Sequence, residues 1–508
     1  MMRSGGVLAM LLALAWPVAA QEHHDHPAPE KLGRAHMDTT CSPAVTARFD
    51  RALALLHSFA YSLAERGFLD VAAADPHCAM AWWGAAMTHY HQMWQPPAPE
   101  FSVGAEEIGR AAAVQPVSAR ERGYIVTLGR YYGDYAGQPR ATPDVRAQRY
   151  AAAMGDLARM YPRDDEAQVF YALALVATDP PTDKTHAGDK RAAAILEPIW
   201  KRQPQHPGVP HYLIHAYDSA ELAPNGLAAA RAYSKIAPSA PHALHMPSHI
   251  FTRLGLWDDS IASNRAAIVA ARAQGDLGEQ LHATDYLTYA LLQRGRWEEA
   301  RAIVGEVKAM TGLPAAQFKV GYAANAMAVR YVVERGDWAA AAMLQPLPGS
   351  SPAVAAIVHW ARALGHSRAA PPQSSDADID ALAADRTALR AVGDDYWAVQ
   401  ADAMIKEAQA WRAQAAGDRN LAVVALTAAA DEEDAIEKQP VTPGPIVPAR
   451  EQLGELLLAE RRPAEALHAF RASLVDAPGR RGALLGAAAA ARAVGDVRLA
   501  HHFEADLR

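Results

Sequence analysis

Two pairs of histidines are the part of this sequence best suited to chemistry. His211 and His215, and 34 residues later His245 and His249, are each spaced i,i+4, so both imidazoles of a pair share one helical face, one turn apart. Four imidazole nitrogens held in that way suit zinc or copper. His242 precedes His245 and Pro247, and a proline costs little at an early helical position. A helix is therefore expected to begin near Met246, with His245 at its cap and His242 in the preceding loop as a supporting or alternate ligand. His89 and His91 end the aromatic run that starts at Trp82. Positions two apart on a helix diverge by about 200°, so one of them, His89, is expected to face the same centre. The candidate metal ligands are thus His211, His215, His245, His249, His89 and His242. The alternative is structural: the pairs cap helices and bridge neighbouring units by hydrogen bonds.

Carboxylates decide what such a metal can do. A catalytic ion keeps an open coordination position and a nearby proton-transfer group, whereas a structural zinc closes its shell with protein atoms. Asp218, three residues after His215, and Glu166, at the start of another helix, are the candidate catalytic bases or ligand-orienting carboxylates. His282, with Asp285 and Tyr286, is placed to orient an imidazole or hydrogen-bond a ligand. His186 and His206 read as exposed or turn histidines. There is no HExxH motif, because Tyr212 follows His211, and there is neither a serine-hydrolase elbow nor a phosphate loop.

The elements that must position these residues are helices. Alanine is abundant, β-branched alternation is sparse, and apolar residues such as Leu53, Leu56, Phe59 and Leu63 recur at helical spacing. Gly255-Leu256-Trp257, Gly295-Arg296-Trp297 and Gly336-Asp337-Trp338 each set a turn glycine before a tryptophan that opens the next helix. Late in the chain Leu453, Gly454, Leu457, Ala466, Phe470 and Pro478, extended by Leu484, Ala488 and Ala500, carry a resemblance to the tetratricopeptide-repeat superfamily. That resemblance implies an all-α fold, a tetratricopeptide-like superhelix of helical hairpins (an alpha-alpha solenoid). It also makes the 34-residue offset one repeat, so the histidine pairs would lie on equivalent inner helices about 10 Å apart. The concave groove of such an array takes a peptide or protein ligand, with Tyr212, Tyr217, Phe251 and Tyr286 as candidate binding aromatics.

The two HxxxH pairs, His211/His215 and His245/His249, also resemble the helical ligand pairs of type-3 copper proteins. A binuclear copper centre takes about six imidazoles, which His89, His91 or His242 would complete. The resemblance implies dioxygen binding, or oxidation of a phenol or peptide. The repeat scaffold departs from the four-helix arrangement of that class.

Arg3, the apolar run Val7 to Trp16 and the small residues Ala19 and Ala20 read as a signal peptide over residues 1–20. The expected destination is across the inner membrane, periplasmic in a Gram-negative cell, with no integral membrane segment after cleavage. In that oxidising setting Cys41 and Cys78 are candidates for one disulfide, with a soft-metal thiolate site or free thiols as alternatives. Residues 21–42, with His23, His24 and His26, read as a flexible segment, residues 43–370 as a divergent repeat array, and residues 371–508 as C-terminal repeats. The net charge of −7 with scattered basic residues argues against a nucleic-acid partner. Three functions stay open: an exported repeat protein binding copper or zinc on its concave face together with a peptide, a copper oxidase, oxygenase or zinc hydrolase using the histidine centre, and a metal-free protein-binding scaffold.

Overall fold

A computed structural model describes residues 30–93, 98–133 and 141–507. Residues 1–20, read from the sequence as a signal peptide, and His23, His24 and His26 lie outside the described residues. Among the described residues Lys31–Arg508 forms one compact unit with twenty-five α-helices, which pack chiefly on helices one or two places away in the chain. The fold is all-α and consistent with a helical solenoid. Among the described residues no helix is long and apolar enough to cross a membrane.

Local sequence sets the helix ends. Ser118 accepts from the amide of Glu121, whose carboxylate accepts the amide of Ser118 in return, a capping box that satisfies two otherwise orphaned donors. Asp164, Asp276, Asp337, Asp394, Asp418 and Asp496 cap their helices by accepting the amide three residues on. Gly255, Gly295 and Gly336 adopt φ of 67°, 67° and 65°, and the next helices begin at Trp257, Trp297 and Trp338. The turn glycines therefore act as the sequence suggests. In the C-terminal repeat Gly454 and Gly486 make room for Phe470: an added Cβ would lie 2.7 Å and 2.2 Å from its ring.

Among the described residues the unit holds two large apolar cores, one running from Leu32 to Phe251 and the other from Trp257 to Phe503, and a small third one around Leu281, Val320 and Met327. The helices on either side of residues 369–375 both belong to the second core. The last helices fold back on the middle of the chain. The Trp257 indole donates to the Gly479 carbonyl at 2.9 Å, the Arg481 amide donates to the Gln293 side-chain oxygen at 2.9 Å, and Arg480 donates to the Tyr289 hydroxyl at 3.1 Å. Near the start of the described chain, Cys41 and Cys78 form a disulfide.

The segment 437–448, between two helices, does more than connect them. Its carbonyls at Thr442, Gly444, Pro445 and Ile446 accept from Tyr286, Arg330 and Arg480, while the Glu437 amide donates to Pro181. The segment thus ties together helices far apart in sequence. It meets interior aromatic and arginine side chains in the way an extended peptide ligand would.

Candidate metal centre

The helix Gly208–Ala216 carries His211 and His215 one turn apart, with their Nε2 atoms 3.1 Å from each other. His242 brings its Nε2 to 3.1 Å from that of His211. A second group forms beside the first. His245 and His249 place their Nε2 atoms 3.1 Å apart, and His282, from helix Leu277–Gln293, sets its ring 4.3 Å from that of His245. Within each triad, one potential ligand atom per histidine lies within 4.8 Å of the others, and all six residues are buried. The triads adjoin, with ring centroids 6.0 Å apart for His215 and His249 and 6.1 Å apart for His242 and His245.

This arrangement differs from a single four-nitrogen site. Each HxxxH pair recruits a third imidazole: His242 for the first and His282 for the second. The reason lies around Pro247. Instead of one helix beginning near Met246, there are two short ones, Pro241–His245 and Pro247–Arg253, joined through Met246. His242 is therefore in a helical turn, not a loop. Two consecutive short helices send His242 into one triad and His245 into the other.

The far side of most rings is anchored. His211 Nδ1 meets the His57 carbonyl at 2.6 Å, His245 Nδ1 the Asn264 side-chain oxygen at 2.7 Å, His249 Nδ1 Asp218 at 2.8 Å, and His242 Nδ1 Glu279 at 3.2 Å. Asn264 itself donates to the Ser260 carbonyl at 2.8 Å, which fixes its oxygen toward His245. An imidazole that donates through Nδ1 in its neutral form presents a lone pair at Nε2. The facing Nε2 atoms of His211 and His242, and of His245 and His249, are thus two pairs of acceptors in contact, an arrangement that a cation between them would satisfy. Protons are a poor choice: burial pushes His211 and His245 well below the usual histidine range, and burial outweighs Asp218 to hold His249 at about 4. His215 Nδ1 is buried with no hydrogen-bond partner.

The candidate bases stand behind the ligands. Asp218 accepts from His249 on the side away from Nε2, and also from Arg253 at 3.0 Å and Lys438 at 2.6 Å. Burial would raise its pKa, but Lys438, His249 and Arg253 together hold it well below the ordinary value. Glu166 lies between His57 and His206, 2.9 Å from each, and His57 Nδ1 meets the Tyr212 hydroxyl at 2.9 Å. Glu166 therefore reaches the first triad only through His57, whose carbonyl anchors His211. His206 is buried in this network, and His186 is buried as well, beside Asp189 and Glu437. Neither has the exposure expected from sequence.

Of the four candidate binding aromatics, Tyr286 stacks on His249 at 4.8 Å and donates to the Thr442 carbonyl at 3.0 Å, and the Tyr212 ring lies 5.1 Å from His211. Tyr217 donates to Glu197, and Phe251 belongs to the N-terminal apolar core. All four are buried. Phe59 is the aromatic that the sequence reading missed as a site residue. Its ring sits 4.4 Å from His211, 5.4 Å from His242 and 5.8 Å from His215. Phe59 has φ of +52°, an unfavourable conformation for a bulky side chain, just after the helix Thr46–His57. Only the tertiary structure brings that turn over the triad. His89 joins neither triad and groups instead with Glu65 and Glu107. Beyond Asp218, Arg253 and Lys438 line a cavity of about 120 Å³ with Tyr289, Tyr322 and Glu433.

No protein-family model matches the chain, and no curated protein matches it. Among solved structures it is similar to an IFIT1 monomeric mutant with Gppp-AAAA, at 11% identity over 84% of this chain and 90% of that one, with a TM-score of 0.34. It is also similar to the human IFIT1 dimer with m7Gppp-AAAA, at 10% identity over 84% and 89% of the two chains, with a TM-score of 0.36.

Proposed function

We propose that this is an exported, tetratricopeptide-like protein whose two histidine triads hold a pair of transition-metal ions, with copper the metal that suits them best. The observation that carries this reading is the pair of adjoining three-imidazole sets, in which the opposite ring nitrogens of His211, His242, His245 and His249 are already committed to acceptors. Three neutral imidazoles per ion leave coordination positions for an exogenous ligand. Two copper ions side by side supply the redox chemistry to bind dioxygen or oxidise a phenol. The chain's own residues orient the ligands, through Asp218, Asn264, Glu279 and the His57 carbonyl, and cover the first triad with Phe59.

Zinc hydrolysis is the alternative at the same site. It needs a base facing the bound water, and Asp218 and Glu166 are instead bonded to the rear of histidines or to their supports, which favours copper. The Cys41–Cys78 disulfide supports an oxidising destination. A peptide ligand gains less support, because segment 437–448 already takes the backbone hydrogen bonds offered by Tyr286, Arg330 and Arg480.

Elemental analysis of tag-free protein after separate reconstitution with copper and zinc tests the proposal. Two copper ions per chain are expected in the wild type, and about one in each of His215→Ala and His282→Ala. The reduced copper form should gain a new absorption band on exposure to dioxygen. Failure of either metal to bind in stoichiometric amounts would leave a histidine-lined scaffold without a metal role.

A further inference from the structure

His89, displaced from the triads, belongs to a different kind of cluster. It follows directly on helix Ala79–Thr88, facing Glu65 from helix Tyr61–Ala74 and Glu100 and Glu107 from helix Ala98–Ala113. The two glutamates are seven residues apart, so they lie on one face of that helix, two turns apart. His89 Nε2 is 3.4 Å from Glu65 and 3.5 Å from Glu107, and its Nδ1 is 3.6 Å from Glu100. Glu100 in turn meets His91 at 2.9 Å.

Two features separate this cluster from an ordinary ion-pair patch. Both ring nitrogens of His89, and Oε2 of Glu107, are buried with no hydrogen-bond partner, and the two side chains are only 10% and 7% exposed. Three carboxylates also converge on one imidazole in a poorly solvated place, where like charges resist ionising together. A dipositive ion between His89 Nε2, Glu65 and Glu107 would satisfy Nε2, the Glu107 oxygen and the excess negative charge together, leaving Nδ1 to donate toward Glu100.

We propose that Glu65, His89 Nε2 and Glu107 form a second cation site, separate from the histidine triads, that takes one divalent first-row metal ion, with Glu100 beside His89 Nδ1 orienting the ring. Its donors are harder than six imidazoles, which suits manganese(II), iron(II) or zinc(II) better than copper(I). Glu65 and Glu100 are about one-third exposed and give the ion a route from solvent, while His89 and Glu107 form the buried floor. A row of rings lies between this site and the first triad: His91 stacks on Tyr61 at 4.5 Å, Tyr61 on Phe59 at 5.2 Å, and Phe59 meets His211. The two sites can therefore be tested independently.

Titration of the full chain with manganese(II) alone, read by loss of the free-ion electron paramagnetic resonance signal, tests the site. One equivalent should bind to wild type and also to His215→Ala/His249→Ala, in which the triads are broken. Glu65→Gln/Glu107→Gln, checked for folding by circular dichroism, should lose that equivalent. Glu100→Gln, altered at a partly exposed position that folding tolerates, should bind at least tenfold more weakly. The proposal is overturned if wild type binds no manganese, if the folded double variant keeps full stoichiometry, or if Glu100→Gln binds as tightly as wild type.

Discussion

Asp218 shows how much of the proposed metal centre rests on one side chain behind the histidines. Its carboxylate accepts from His249, Arg253 and Lys438 in a buried setting. Asp218→Asn keeps the shape but strips the charge that partners two buried cations. Breaking a buried ionic arrangement costs about 3–5 kcal/mol, and loss of a carboxylate behind a ligand weakens metal binding roughly 10- to 100-fold. Chemical denaturation and competitive copper titration should register both losses. If stability falls but copper affinity is unchanged, Asp218 does not orient His249. Glu407 makes an opposite case. Buried against the Trp360 indole and Gln452, it is pushed up to about 7 by burial. The folded form then holds its proton while the unfolded form releases one, so this residue lowers stability as pH rises from about 4.5 through about 7. Glu407→Gln removes that loss and should stabilise the protein at pH 8, relative to wild type, by roughly 1–3 kcal/mol, with little gain at pH 4. Melting curves of both proteins at the two pH values check the sign.

At the scale of elements, the chain uses short helices where it needs direction and long ones where it needs packing. Pro241–His245 and Pro247–Arg253 are single-purpose turns that deal His242 and His245 to different triads. A continuous helix would have kept the histidines on fewer faces. The next turn has a different duty. Gly255 sits at φ +67°, and a Cβ there would lie 2.5 Å from the Pro478 carbonyl oxygen, so Gly255→Ala brings both backbone strain and a clash with the returning C-terminal repeat. A loss of about 1–3 kcal/mol is expected from the strained conformation. The shift in urea midpoint should exceed that of Gly275→Ala, whose Cβ would meet nothing nearby. Equal shifts would mean that contact with the C-terminal repeat contributes nothing beyond the turn itself.

The whole molecule is held by connections between distant parts of the chain: the disulfide, the returning C-terminal helices and segment 437–448. Cys41 and Cys78 are 37 residues apart, and cross-linking a loop of that length restricts the unfolded chain by about 3–4 kcal/mol. Cys41→Ala/Cys78→Ala should unfold at correspondingly lower denaturant, with the triads still able to take copper. The proposed metal would act at the same scale, because an ion that binds only the folded form stabilises it by mass action. Copper at a hundredfold excess over its dissociation constant should add about 2.7 kcal/mol per site, and the rise in melting temperature should halve in His282→Ala. An unchanged melting temperature would contradict binding linked to folding.

Alanine-rich helical periodicity, the Gly-x-Trp turns and the small-residue positions around Phe470 made the all-α, helical-repeat character readable, because each depends on spacing within a helix or between adjacent helices. The i,i+4 histidines were readable for the same reason. What the sequence left open was partnership. His282 and Phe59 reach the triads from helices and turns far away in the chain, Glu166 acts through His57, and His89 turns to three glutamates. Those choices come from how successive helices stack, and stacking is fixed by side-chain volume and by long-range bonds such as Trp257 to Gly479. Local spacing determined which nitrogens share a helix face; only the tertiary packing decided that they form two triads, with a third cluster of different chemistry beside them.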